Sequence, residues 1–243
     1  MQEDQKKLIN SLFIPALFLF VMWMVKFTEF VFGSRFSFLG ITPLELRGLA
    51  GIIASPFLHA DWNHLMANSV PVLVLGGALY YFYSEIANKV LILIILLTGL
   101  WVWLGAREST HIGASGVIYG LASFHLMSGI IRKEAKLMAI SLIVVFLYGS
   151  MIWGIFPELF PQKNISWESH LSGMIAGIVL AVFYKDEGIQ RKKYSWETEE
   201  MPDSDDDITT DPDNEPETPY WNTPEPDKDE LTVVYHFKKS EQK

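Results

Sequence analysis

A short polar run stands directly before a long apolar segment near the middle of the chain, and it contains a candidate nucleophile. The run covers residues 110–116 (THIGASG), and the apolar segment continues over residues 117–131. Ser115 is expected in the first turn of a helix, where backbone N–H groups have no partner within the helix and the dipole is positive. A hydroxyl at that position has a site for an oxyanion beside it, but it needs a base to take its proton.

A histidine in another apolar segment, His170, is the candidate for this base. Both segments carry two glycines at helical spacing, and small residues four positions apart allow two membrane helices to approach closely. The glycine pairs are Gly116 with Gly120, and Gly173 with Gly177. If these faces meet, the imidazole of His170 can take the proton of Ser115 during attack and return it to a leaving amine.

Two further polar residues, His64 and Asn68, lie four positions apart in an apolar segment and therefore share one helix face. Polar side chains inside membrane spans are costly and usually have a function or a bonded neighbour. We interpret His64 and Asn68 as hydrogen-bond donors to a developing oxyanion. The alternative is that they form a satisfied polar pair that holds two helices together.

The composition points to a membrane protein with a soluble tail. The chain has 243 residues, 50% of them hydrophobic and 14% aromatic, with a formal charge of −9. Sixteen acidic residues and four lysines fall within residues 195–243, a net charge of −12, so the rest of the chain is slightly basic. The absence of cysteine excludes a thiol nucleophile and a disulfide framework, and no basic patch suits nucleic acid.

The apolar pattern predicts an all-α polytopic membrane protein with six transmembrane helices. The expected segments are residues 8–25, 62–83, 90–105, 115–131, 137–156 and 167–184. The long connection over residues 26–61 is amphipathic and is expected in the membrane interface. The chain then divides into a cytosolic N-terminus (1–8), a six-helix membrane domain (9–186) and a mostly disordered acidic tail (187–243).

The distribution of basic residues predicts the orientation in the membrane. Lysines and arginines are more concentrated on the side that holds both termini, which places both termini in the cytosol by the positive-inside rule. Ser115 would then face outward. We expect the bacterial inner (plasma) membrane as the location, with bilayer lipid as the surroundings and an unknown cytosolic partner for the tail. Residues 231–237 could pair as a strand, serve as a docking peptide or be only an apolar patch on the tail.

Three motifs taken together resemble the rhomboid family of intramembrane serine proteases over residues 9–186. Each motif is weak alone, but their order and their places in the second, fourth and sixth apolar segments agree with the family. The motifs are His59-x4-His64-x3-Asn68, Gly113-Ala114-Ser115-Gly116, and His170-x2-Gly173-x3-Gly177.

The resemblance implies a Ser–His dyad of Ser115 and His170, without a metal or another cofactor. It also implies an oxyanion site formed by the backbone N–H of Ser115 with His64 and Asn68. Three residues would support this site: Tyr119, on which the imidazole rests, His59 and Gly113. The substrates would be other transmembrane proteins, cut in or near a transmembrane helix that contains helix-destabilising residues.

The chain departs from the family pattern in one loop, and two other functions are compatible with its residues. Many members carry Trp-Arg in the first long loop, where this chain has Leu46-Arg47, and this leaves the anchoring of that loop open. A catalytically inactive relative that binds membrane clients is one rival. A small transporter with a polar path through His64, Asn68 and His170 is the other. Ser115 could also merely cap its helix.

The remaining polar and aromatic residues have ordinary interpretations. We expect His111 and His125 to be helix-end or packing residues, and Arg107 and Glu108 to be a solvated loop pair. Trp153 and Phe156 could gate substrate entry, although an interfacial aromatic belt explains them equally well.

Overall fold

A computed structural model of the chain describes residues 2–147 and 166–187, and the regular structure within these ranges is helical. Its α-helices are α1 (Gln2–Phe32), α2 (Gly51–Ala54), α3 (Trp62–Phe82), α4 (Ala87–Gly105), α5 (Ser115–Arg132), α6 (Ala135–Leu147) and α7 (Trp167–Phe183). The prediction of an all-α fold is confirmed for these ranges. The predictions for residues 148–156, including Trp153 and Phe156, and for the tail beyond residue 187 fall outside the described residues.

The first helix is longer at both ends than the sequence predicted. The apolar run indicated residues 8–25, whereas α1 extends from Gln2 to Phe32. Lys26 does not end this helix because its ammonium group is bonded within the protein, at 2.9 Å from both the Glu29 carboxylate and the His59 carbonyl. The connection expected over residues 26–61 therefore begins only at Gly33, whose φ of +59° is a conformation that favours glycine.

The connection between α1 and α3 consists of short helical turns and exposes apolar side chains, as expected for an interfacial segment. Its 3-10 turns are Ser37–Leu39, Leu46–Leu49 and Ser55–Phe57. Leu46 is 83% exposed and does not anchor this loop. Trp103 of α4 anchors it instead, because its indole N–H donates to the Glu45 carbonyl at 2.9 Å and its own carbonyl accepts the N–H of Leu44 at 3.0 Å.

Three of the described helices, α1, α3 and α4, are long and apolar enough to cross a membrane by length and composition. Helices α6 and α7 are apolar but shorter, with 13 and 17 residues in the described ranges. Together with α5, of 18 residues, these helices occupy the places of the six expected segments. The number of helices that actually cross the bilayer stays a prediction.

Helices α5 and α7 run in the same direction and meet through glycine faces. A Cβ added to Gly173 would collide with the backbone of Gly116, and one added to Gly177 would collide with the carbonyl of Gly120. A hydrogen bond also joins the two helices at these faces: the hydroxyl of Ser123 in α5 donates to the Met174 carbonyl in α7 at 2.9 Å. This contact brings the first turns of α5 and α7 to the same end of the bundle.

The opposite ends of α5 and α7 are joined by a buried arginine. The guanidinium of Arg132, the last residue of α5, donates to the carbonyls of Tyr184 and Glu187 at 2.5 and 2.7 Å. These carbonyls lie at and just beyond the end of α7, where a cation is favoured by the helix dipole. In the core between the two ends, the imidazole Nε2 of the fully buried His125 is 3.0 Å from the Leu75 carbonyl of α3.

The close α5–α7 contact predicts that Gly173→Ala destabilises the protein. The new methyl group has to push two backbones apart, at a cost of about 1–3 kcal/mol, which exceeds the roughly 1 kcal/mol that alanine gains in helix propensity. We expect a lower midpoint of thermal unfolding in detergent.

The control is Gly105→Ala at the end of α4, where a Cβ would meet no atom within 4 Å. This variant should unfold at the wild-type midpoint or slightly above it. An unchanged midpoint for Gly173→Ala would contradict the contact.

Candidate active site

Ser115 is the first residue of α5, and a tight loop places it there. Gly113, two residues earlier, has a φ of +116°, which side-chain-bearing residues rarely adopt. Its N–H donates to the Ser55 carbonyl at 2.9 Å, which fixes this loop against the connection before α3. The backbone N–H of Ser115 lies at the helix N-terminus, in the orientation that suits an anion.

His170 lies in the first turn of α7, and its imidazole reaches Ser115. The Nε2 atom of His170 is 2.9 Å from the Oγ atom of Ser115. With Nε2 unprotonated, the serine hydroxyl donates to it, which is the arrangement in which a histidine can take the hydroxyl proton. His170 is buried, whereas Ser115 is half-buried.

The ring of Tyr119, one turn after Ser115, stacks on the imidazole. The ring centroids are 4.2 Å apart and the planes are inclined by only 12°. This contact restricts the imidazole to the plane in which Nε2 points at the serine. The structure thus brings Ser115, His170 and Tyr119 together.

His64 reaches the same place from α3. A Cβ built on Gly113 would lie 2.8 Å from Cε1 of His64 and 3.8 Å from Oγ of Ser115, so the His64 ring packs on Gly113 beside the serine. Asn68 is buried one turn further along α3, and its Nδ2 donor is without a hydrogen-bond partner among the described residues. Asp61 caps this helix by accepting the N–H of His64 at 2.8 Å.

His59 lies behind His64 and is fully enclosed. The two imidazoles meet edge to face with centroids 5.0 Å apart. His59 precedes α3 in the chain, and burial, followed by the charge of His64, lowers its pKa to about 3. His59 is therefore neutral at pH 7 and serves as a packing surface for His64, while Lys26 holds the His59 and Ala60 carbonyls at 2.9 and 3.1 Å.

Two residues near the site make contacts that the sequence did not indicate. The Nε atom of Arg107 is 3.4 Å from a carboxylate oxygen of Glu168 in α7, a contact that the interpretation of Arg107 and Glu108 as a solvated loop pair did not include. His111, interpreted as a helix-end or packing residue, is buried and also has its Nδ1 atom 2.6 Å from the hydroxyl of Ser166, the residue that caps α7. In the sequence, the only feature that pointed to the bond between His111 and Ser166 was a polar residue close to an apolar segment.

Comparison with known proteins finds related sequences in bacteria and in a plant. An uncharacterized protein of Mycobacterium tuberculosis is 38% identical over 170 residues, which are 68% of this chain and 71% of that protein. An uncharacterized protein of Mycobacterium leprae is 36% identical over 58% of this chain and 59% of its own length. Rhomboid-like protein 11, chloroplastic, of Arabidopsis thaliana is 27% identical over 53% of this chain and 50% of its own length.

Residues 47–187 match the family of Rhomboid domains, and this range contains every candidate site residue. The resemblance inferred from the three motifs is thereby confirmed, and the family together with the apolar helices indicates an integral membrane protein. The chain belongs to the rhomboid family.

Proposed function

We propose that this chain is an intramembrane serine endopeptidase of the rhomboid type, with Ser115 as nucleophile and His170 as general base. The observation that carries the proposal is the 2.9 Å contact between Nε2 of His170 and Oγ of Ser115 at the N-terminus of α5. A hydroxyl that only capped its helix would not need an imidazole stacked and aimed at it.

The proposed reaction begins with attack of the Ser115 oxygen on the scissile carbonyl carbon. His170 takes the hydroxyl proton, and the carbonyl oxygen becomes an oxyanion that the N–H of Ser115 and the side chains of His64 and Asn68 stabilise. Collapse of the tetrahedral intermediate breaks the C–N bond, and His170 gives its proton to the leaving amine. Water, activated by the same imidazole, then hydrolyses the acyl-enzyme and regenerates Ser115.

The membrane arrangement in this proposal is six spanning helices with both termini in the cytosol of a bacterial cell. The 18 residues of α5 cover only about 27 Å, less than the ~30 Å hydrocarbon core. Ser115 can therefore lie below the outer membrane surface in a water-filled hollow. Its half-buried state is compatible with access by water.

The proposed substrates are transmembrane proteins, cut in or near their membrane helices. A regular helix resists proteolysis because its carbonyls are hydrogen-bonded and its backbone is covered by side chains. Substrates should therefore contain glycine, proline or polar residues that loosen the helix locally, with a small residue before the cut. The acidic tail would face the cytosol, where an unidentified partner could dock.

The central test is the pair of substitutions Ser115→Ala and His170→Ala in the full chain. We expect each to lower cleavage of a model transmembrane substrate in proteoliposomes on the order of 10⁴-fold or more, since neither half of the dyad acts alone. Labelling by a fluorophosphonate should be lost as well. The control is Ser128→Ala, a buried serine at the other end of α5, which should cleave and label like wild type.

A label that still attaches to the Ser115→Ala protein would overturn the assignment of the nucleophile. Cleavage that survives in either variant would exclude the dyad. A transporter would instead retain its flux after Ser115→Ala.

Asn68→Ala tests the proposed oxyanion site. The loss of one oxyanion donor should lower kcat by about 10²–10³-fold, because the bond forms only in the transition state, and KM should change little. The matched control is Asn88→Ala, whose side chain accepts a hydrogen bond from Tyr80 at 2.6 Å near the start of α4. Equal kcat values for the two variants would remove Asn68 from the mechanism.

Gly113→Ala tests whether catalysis depends on the close contact between Gly113 and the His64 ring. Its Cβ would be strained at a φ of +116° and would press on His64, so kcat should fall at least tenfold. Gly33→Ala is the control, because Gly33 also has a positive φ but has no atom within 4 Å of an added Cβ. If both variants keep wild-type kcat, the contact between Gly113 and His64 has no part in catalysis.

A further inference from the structure

The loop before Ser115 and the first turn of α7 are joined by two polar contacts that the proposed reaction does not use. His111 lies 2.6 Å from the Ser166 hydroxyl, and Arg107 lies 3.4 Å from Glu168. Arg107 is 43% exposed and its contact is long, so water and salt weaken that ion pair. His111 is 3% exposed, and its bond is therefore the more significant of the two.

The surroundings of His111 determine which of its ring nitrogens carries the proton. The Nε2 atom is 3.1 Å from the carbonyl of Arg107, which can only accept a hydrogen bond. Nε2 therefore carries a proton, and in the neutral imidazole Nδ1 is unprotonated and accepts from the hydroxyl of Ser166. The oxygen of Ser166 can then accept the N–H of Ser169 at 3.3 Å, which is the capping bond of α7. The Ser169 N–H, the Ser166 hydroxyl, the His111 imidazole and the Arg107 carbonyl thus form one chain of hydrogen bonds in which every donor has an acceptor.

The backbone of His111 is fixed as well as its ring. The N–H of His111 donates to the Ile41 carbonyl at 2.9 Å, and the N–H of Ile41 donates to the His111 carbonyl at 3.0 Å. The imidazole is thus held by the connection before α3 and in turn holds the cap of α7. His111 precedes Ser115 by four residues, and Ser166 precedes His170 by four residues. The bond therefore ties the starting points of the two helices that carry the dyad.

The glycine contact between α5 and α7 does not by itself fix this alignment. Faces without side chains let helices come close, but they provide few knobs and holes that would oppose sliding along the axis. Directional hydrogen bonds can fix the height of one helix against the other. The bond between His111 and Ser166 is such a directional bond, and it lies at the end of the bundle that carries Ser115 and His170.

We propose that His111 is a positioning residue that, through Ser166, sets the height of His170 against Ser115. This inference rests on the proposed protease function. A shift of the imidazole by about 1 Å is expected to lower the rate roughly 100-fold. Global stability should change little, because the glycine contact and the bonds of Ser123 and Arg132 are retained.

The experiment compares His111→Ala, Ser166→Ala and the double variant in the full-length protein in proteoliposomes. Three quantities are measured: kcat and KM on a model transmembrane substrate, the rate constant for fluorophosphonate labelling of Ser115, and the thermal midpoint. We expect kcat and the labelling rate to fall about 10- to 100-fold in each single variant, with KM and the midpoint nearly unchanged. The double variant should lose no more than the worse single variant, because both break the same bond.

Two further variants separate positioning from a general structural role. Ser166→Thr keeps the hydroxyl and should recover most of the wild-type kcat. Arg107→Ala removes the ion pair with Glu168 but keeps the carbonyl that His111 uses, so it should stay within about twofold of wild type. If His111→Ala fails to fold, the fall in kcat of Ser166→Ala and its recovery in Ser166→Thr are the test.

Wild-type kcat in both His111→Ala and Ser166→Ala would overturn the inference, and so would effects that multiply in the double variant. A loss of kcat matched by a loss of folded protein would overturn it too. Wild-type protein that neither cleaves nor labels at Ser115 would instead overturn the proposed function itself, and the inference with it.

Discussion

The arrangement of this site depends on the contact of two helix backbones. Gly173 of α7 lies against Gly116 of α5 with no side chain between them, so the two axes approach more closely than ordinary packing permits. An imidazole on one first turn can then reach a hydroxyl on the other at 2.9 Å. One added methyl group would widen the gap by more than a hydrogen bond tolerates. The contact between Ser115 and His170 thus depends on one glycine directly after the serine and another three positions after the histidine.

The contact between Ser115 and His170 joins two side chains that can both be neutral before the proposed attack. A buried ionised carboxylate needs a bonded partner, and the acid closest to His170 in sequence, Glu168, lies beside Arg107. The stacked ring of Tyr119 restricts the imidazole plane, a task that a carboxylate performs in many serine hydrolases. Stacking introduces no charge, so it orients the base without an ion in the apolar interior. The neutral His59 supports the ring of His64 in a comparable way.

Much of this fold could be predicted from the sequence, because long apolar runs and glycine spacing are local signals. They placed helices near α3, α4, α5 and α7 and indicated which faces of α5 and α7 meet. The extension of α1 to Phe32 could not be predicted, since Lys26 is accommodated by carbonyls 33 and 34 residues away. The same holds for the contact of His111 with Ser166 and that of Arg107 with Glu168, which reach α7 or its cap. Contacts made by loops depend on tertiary placement, and the sequence carries no periodic signal for them.

Hydrogen bonds between α5 or the loop before it and α7 or its ends lie along the whole length of the helix pair. Bonds far from Ser115 can therefore stabilise the pair, while a bond near Ser115 can affect the site. Ser123 bonds α7 in the middle, and Arg132 binds the carbonyls at its far end. Between membrane helices there is little hydrophobic driving force, so such bonds and close packing have to hold the pair together. The middle and far bonds can keep the helices associated while the first turn of α7 still pivots. A pivot about the middle moves the N-terminal end most, and that end carries His170. In the proposed mechanism, a bond near Ser115 and His170 therefore contributes little to holding the helices together but sets the distance over which the proton would be transferred.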